Sequence, residues 1–114
     1  HCVEMAEASE VTFELRVHDI AYMEDAIDYA KMGLVPAGAY KNRGYSMNKV
    51  ETGGVEEHYI DLLYDPQTSG GLLLSVAPED LENVMRDFEH AHMDTKVSVI
   101  GKVGPKSDKL IVLS

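Results

Sequence analysis

The chain has 114 residues, enough for one domain that buries about two-thirds of its surface. It is 45% hydrophobic and 26% charged, an ordinary globular balance, and no apolar run reaches the roughly 18 residues of a membrane helix. Twenty acidic against ten basic residues give a net charge of −10, which repels nucleic acid and anionic lipid and excludes partners that need a broad basic face. The start at His1 lacks a basic segment followed by an apolar one, so no secretory signal is read there, and the chain opens in mid-pattern like a piece of a longer protein. The single cysteine, Cys2, cannot form an internal disulfide and fits a reducing cytoplasm.

The first residues are strong helix formers with Val3, Met5 and Ala6 on one side, the last turns of a helix. Val11, Phe13, Leu15 and Val17 then alternate with Thr12, Glu14 and Arg16, the period of a half-buried strand. Asp19 suits the N-cap of a helix over 20–33, in which Ile20, Met23, Ala26, Ile27 and Ala30 share a face and Gly33 closes the end. From Leu34 to Tyr59 no apolar period is sustained, and Pro36, Gly38, Gly44, Gly53 and Gly54 interrupt the chain. A stretch of about 25 such residues marks function or a missed short helix. The residues around Lys41–Lys49 suit such a helix, with Tyr40, Tyr45 and Met47 packing inward.

Tyr59 to Tyr64 fits strand or helix. Gly71 to Val76 is apolar on both faces, as in a central strand of a helix-covered sheet. Pro78 opens a helix with Glu79, Asp80 and Glu82 at its positive end and a stripe of Leu81, Val84, Met85, Phe88 and Ala91. Lys96 to Gly104 alternates as a strand with Gly101 as a bulge or kink, and a turn through Gly104–Lys109 predicts a hairpin with the final strand. The order predicts an α+β fold with about four strands in a mixed sheet.

Five features could carry chemistry. Lys41, Arg43 and Lys49 form a basic stretch with no acid between Lys41 and Val50, either an anion-facing patch or a solvated loop. His90 and His92 are two apart and splay to different sides of a helix, so no metal site is expected. Cys2 lies among helical neighbours without a cation to activate it and reads as structural. Ser69 lacks the preceding glycine of a nucleophile elbow, since Gln67 stands there, which argues against a hydrolase. The fifth feature is the loop "DPQTSGG", residues 65–71. Gly70 and Gly71 permit positive-φ turns that aim successive N–H groups to one side, and Thr68 and Ser69 add hydroxyls. Such a turn suits either anion contact or close packing of another element.

"YDPQTSGGLLLSV" followed by an acidic helix resembles the C-terminal domain of the selenophosphate synthetase (selenide, water dikinase) family. "MGLVPAGAYKNRGY" is similar to a second signature of that family, and "HCVEMAEASEVTFEL" to the helix and strand that open the domain. The resemblance runs through essentially the whole chain in order. It implies a fold like that of aminoimidazole ribonucleotide synthetase, here a single α/β/α C-terminal domain, 1–114, of a larger two-domain cytoplasmic enzyme.

The resemblance further implies ATP-dependent conversion of selenide and water to selenophosphate, AMP and phosphate, with magnesium. The full-length protein is then expected to be a homodimer. The N-terminal catalytic domain, which would carry the family's nucleophile and metal-binding aspartates, is not among these residues. Cys2 is not that nucleophile, because Met5 stands where the family's lysine would be needed. No catalytic or metal residue is therefore expected here, and no tightly bound cofactor. The residues expected to meet nucleotide are Thr68, Ser69, Gly70, Gly71, Lys41 and Arg43. A sister synthetase of the same superfamily, or a non-enzymatic binding module for a small molecule or a protein, are the alternatives.

Overall fold

The computed structural model describes residues 1–114. Helix α1 (Cys2–Ser9) buries Val3 and Ala6 but leaves Met5 exposed, and Glu10, with φ 54°, reverses the chain into strand β1 (Val11–Leu15). β1 lies inside a four-stranded mixed sheet of order β2-β4-β1-β3, with β2 at Val50–Glu51, β3 at Gly101–Pro105 and β4 at Ile111–Leu113. It runs antiparallel to β3, Phe13 facing Val103, and parallel to β4, Phe13 facing Ile111. The core gathers Val3 and Ala6 of α1 with Phe13, Leu15, Val17, Leu110, Ile111 and Leu113. The α+β architecture and strand number match expectation, while the membership and pairing of the sheet do not.

The expected hairpin is absent, because β3 and β4 flank β1 on opposite sides. Their connection is tied to β1 by Thr12, whose buried hydroxyl accepts from the Ser107 amide at 2.9 Å and donates to the Lys109 carbonyl at 2.8 Å. A polar residue that alternation assigns to solvent is thus buried and satisfied. Gly101 forms no bulge. It faces Leu15 in the ladder, where a Cβ would strike the Glu14 carbonyl oxygen, so only glycine fits this approach.

The helix expected over 20–33 shrinks to α2 (Ala26–Lys31), preceded by a 3₁₀ turn at Val17–Asp19 and an irregular stretch. Tyr22 supplies the reason. Its hydroxyl donates to the Val17 carbonyl at 3.1 Å and its ring lies 5.6 Å from that of Tyr59, which draws Ile20–Asp25 off a helical path. Gly33 ends the segment with φ 78°.

The irregular region resolves into α3 (Ala37–Ser46), a 3₁₀ turn at Met47–Lys49 and β2. α3 buries Ala39 and Ser46, whereas Tyr40, Tyr45 and Met47, expected inside, are each more than half exposed. Tyr59–Tyr64 belongs to α4 (Glu57–Leu63) and its end, and both α2 and α3 pack on this helix. Gly71–Val76 joins no strand of the sheet. A 3₁₀ turn at Pro78–Asp80 leads into α5 (Leu81–His90), and the strand expected from Lys96 begins only at Gly101.

Candidate functional site

Pro36, extended at the N-cap, turns the chain into α3, and Gly38 and Asn42 stand four apart on one face of that helix. That face meets the end of α4. The Asn42 side-chain amide donates to the Tyr64 carbonyl at 3.0 Å, and a Cβ on Gly38 would fall 2.7 Å from Cγ of Pro66. The two signature segments, far apart in sequence, are therefore joined in space. Asn42, which the sequence did not single out, is the hydrogen-bonding link. Its signal was the four-residue spacing from Gly38.

Lys41 and Arg43 leave α3 about 200° apart, because successive helical residues turn by about 100°. Arg43 reaches α4, where its guanidinium binds both carboxylate oxygens of Glu57 and lies 3.6 Å from Asp61. The hydrogen bond from Arg43 holds the Glu57 carboxyl below the usual glutamate range, and the same bond raises Arg43. Lys49 pairs with Glu7 of α1 at 2.8 Å. Lys41 is exposed and takes part in none of the chain's ion pairs. The basic stretch thus divides into two cations committed to neighbouring helices and one that is free.

Beyond Pro66 the turn is exposed from Gln67 to Gly71, and the amides of Thr68, Ser69, Gly70 and Gly71 donate to no backbone carbonyl. Their donors are open to a ligand or to water. Neither glycine adopts the left-handed φ expected of it; those in that region are Gly33 and Gly53. A Cβ on Gly70 would meet the side-chain carbonyl oxygen of Gln67, whereas around Gly71 there is open space. Close packing thus accounts for Gly38 and Gly101 but not for Gly71.

An open cleft of about 550 Å³ lies elsewhere, lined by His18, Ile20, Tyr22, Asp25, Lys31 and Tyr59 among others. His18 stands edge-on to Tyr59 with ring centres 4.8 Å apart, and His58 packs on the same ring at 4.5 Å, so two histidines placed in separate segments share one aromatic neighbour. The Tyr22 hydroxyl is pushed up to about 12, first by burial and then by Tyr59. None of the residues expected to meet nucleotide lines this cleft, and the Tyr22 hydroxyl already donates to Val17. No three His, Cys, Asp or Glu side chains converge as ligands of a metal would. Burial pushes the Cys2 thiol up, away from the thiolate that a nucleophile requires.

A small α+β domain with a four-stranded mixed sheet, carrying a Gly-rich turn whose entry at Tyr64 is bonded to a helix by Asn42, defines the class. The chain belongs to the family described as AIR synthase related protein, C-terminal domain, whose match covers residues 1–113. Among curated proteins it is similar to selenide, water dikinase of Clostridioides difficile (strain 630), with 44% identity over 114 residues and 99% of this chain. It is also similar to selenide, water dikinase 2 of Peptoclostridium acidaminophilum, 42% identical over 99% of the chain. Selenide, water dikinase of Treponema denticola is 34% identical over the whole chain. The chain spans about a third of the length of these relatives, 32% of the first two and 33% of the third.

Proposed function

We propose that this chain is the C-terminal domain of a selenide, water dikinase, an ATP-dependent enzyme that forms selenophosphate from selenide and water with release of AMP and phosphate. The observation that carries the reading is the 44% identity over 99% of the chain. In this reading an N-terminal catalytic domain supplies the nucleophile and the metal ligands, and the full-length protein is a cytoplasmic homodimer. ATP supplies the phosphoryl group, and magnesium would neutralise the charge that develops on it.

The part assigned to these residues is positioning. The open amides of Thr68, Ser69, Gly70 and Gly71 form a donor surface for phosphate oxygens, and Lys41 adds the one uncommitted positive charge of the basic stretch. Arg43 serves the nucleotide indirectly, because its bonds to Glu57 and Asp61 hold α4 beneath the turn. Asn42 and Gly38 fix the turn to α3.

Phosphorus NMR of the full-length protein with ATP, magnesium and selenide tests this. A selenophosphate resonance from the full-length protein, with none from the 114-residue chain alone, is expected. Absence of that product from the full-length protein, or its formation by the isolated domain, contradicts the assignment.

A further inference from the structure

Tyr22, anchored on Val17 and Tyr59, draws Ile20–Asp25 off a helical path, and the open cleft of about 550 Å³ lies along this stretch. Its volume falls within the roughly 300–1,000 Å³ of small-molecule pockets, which combine apolar and aromatic walls with a few polar groups. The aromatic wall is present: His18 and Tyr22 line the cleft with ring centres 4.8 Å and 5.6 Å from that of Tyr59. Ile20 and Ile27 add half-buried aliphatic surface, and Met23 stands 82% exposed beside them. The polar groups are charged. Asp28 lies 3.8 Å from Lys31, whereas Glu24 and Asp25 take part in none of the chain's ion pairs. With the Asp28–Lys31 pair set aside, two carboxylates remain in the lining against one ammonium, that of Lys96.

We propose that this cleft binds a small organic cation, an ammonium or amidinium group on a flat apolar body, with its charge at Glu24 and Asp25 and its body on the aromatic wall. The sign follows from the charges. An anion would meet two unpaired carboxylates on a chain of net charge −10, and a cation gains from both. The organic body follows from the walls, because ring faces attract cations and stack on flat apolar groups. A bare metal ion would need several converging ligands, and no three carboxylate, imidazole or thiol groups come together here. The site is separate from the turn at Thr68–Gly71, none of whose residues line the cleft. It therefore stands whether or not that turn serves nucleotide.

Titration of the 114-residue chain with benzamidinium, followed by amide NMR, tests the site, with benzamide as the neutral counterpart. Benzamidinium should shift the amides of Tyr22, Asp25 and Tyr59 saturably with a Kd of about 1 mM or below, and benzamide should bind at least about tenfold more weakly. The double variant Glu24→Gln, Asp25→Asn keeps at position 25 a residue type that tolerates the φ of 64° found there. It should weaken benzamidinium at least about tenfold while the Phe13 and Ile111 amides keep their wild-type positions. The comparison with benzamide decides even where the variant fails to fold. Shifts that do not saturate by about 10 mM overturn the proposal. Equal binding of the two compounds, shifts centred away from the cleft, or undiminished binding to the folded variant do so as well.

Discussion

Arg43 reaches from α3 to two carboxylates of α4, and its bidentate bond keeps the Glu57 carboxyl below the usual glutamate range. A folded pKa below the unfolded one contributes stability above the unfolded value, and that contribution is lost as pH falls through the folded value. The Glu57 side chain is 65% exposed, so solvent screening keeps the effect within about 1 kcal/mol. The melting temperature of Glu57→Gln should therefore lie below that of the wild-type chain at neutral pH, and the gap should close as pH falls below the usual glutamate range. A gap that persists undiminished in acid contradicts this origin. The glycines give a second comparison. Gly101→Ala places a methyl group against the Glu14 carbonyl, a backbone atom that cannot swing away, and should cost about 1–3 kcal/mol. Gly71→Ala enters open space and should stay within about 0.5 kcal/mol. Urea midpoints of the two variants measure both, and a Gly101→Ala midpoint equal to wild type contradicts the close approach.

At the level of elements, the sequence was legible where one segment determines its own state. The alternation through Phe13 and Leu15 marks β1, the stripe from Leu81 to Phe88 marks α5, and Gly33 marks the end of α2. It was illegible where a distant partner decides. Tyr22 bonds to Val17 and packs on Tyr59, and this contact breaks a helix that the periodicity of Ile20, Met23 and Ile27 favours. β4 pairs in parallel with β1 instead of folding back on β3, an arrangement held by Thr12 through Ser107 and Lys109. The strand pattern of Gly71–Val76 is real as composition, but pairing needs an edge, and nothing in those six letters names one. The candidate site was legible in part. Its turn and basic residues are visible as letters, while the Asn42 bond that joins them and the commitment of Arg43 to α4 depend on a helix pairing that only the fold supplies.

Across the whole molecule, the net charge of −10 repels phosphates at long range, so attraction must be local. Much of the basic complement is spent internally: Lys49 pairs with Glu7, Lys102 with Glu14, Lys106 with Glu10, and Arg43 with Glu57. Lys41, Arg86, Lys96 and Lys109 take part in no ion pair, and in the proposed reading Lys41 serves an anion together with the open amides at Thr68–Gly71. In the proposed reading this turn serves nucleotide in the full-length protein without holding the domain together. Gly71→Val tests it most directly, because open space around Gly71 lets the domain accept the side chain while the branched group covers the donor surface. Assayed in parallel, the full-length variant should lose at least about tenfold in kcat/KM for ATP, and the 114-residue variant should melt within about 2 °C of wild type. An unchanged kcat/KM in the full-length protein would contradict that role of the turn.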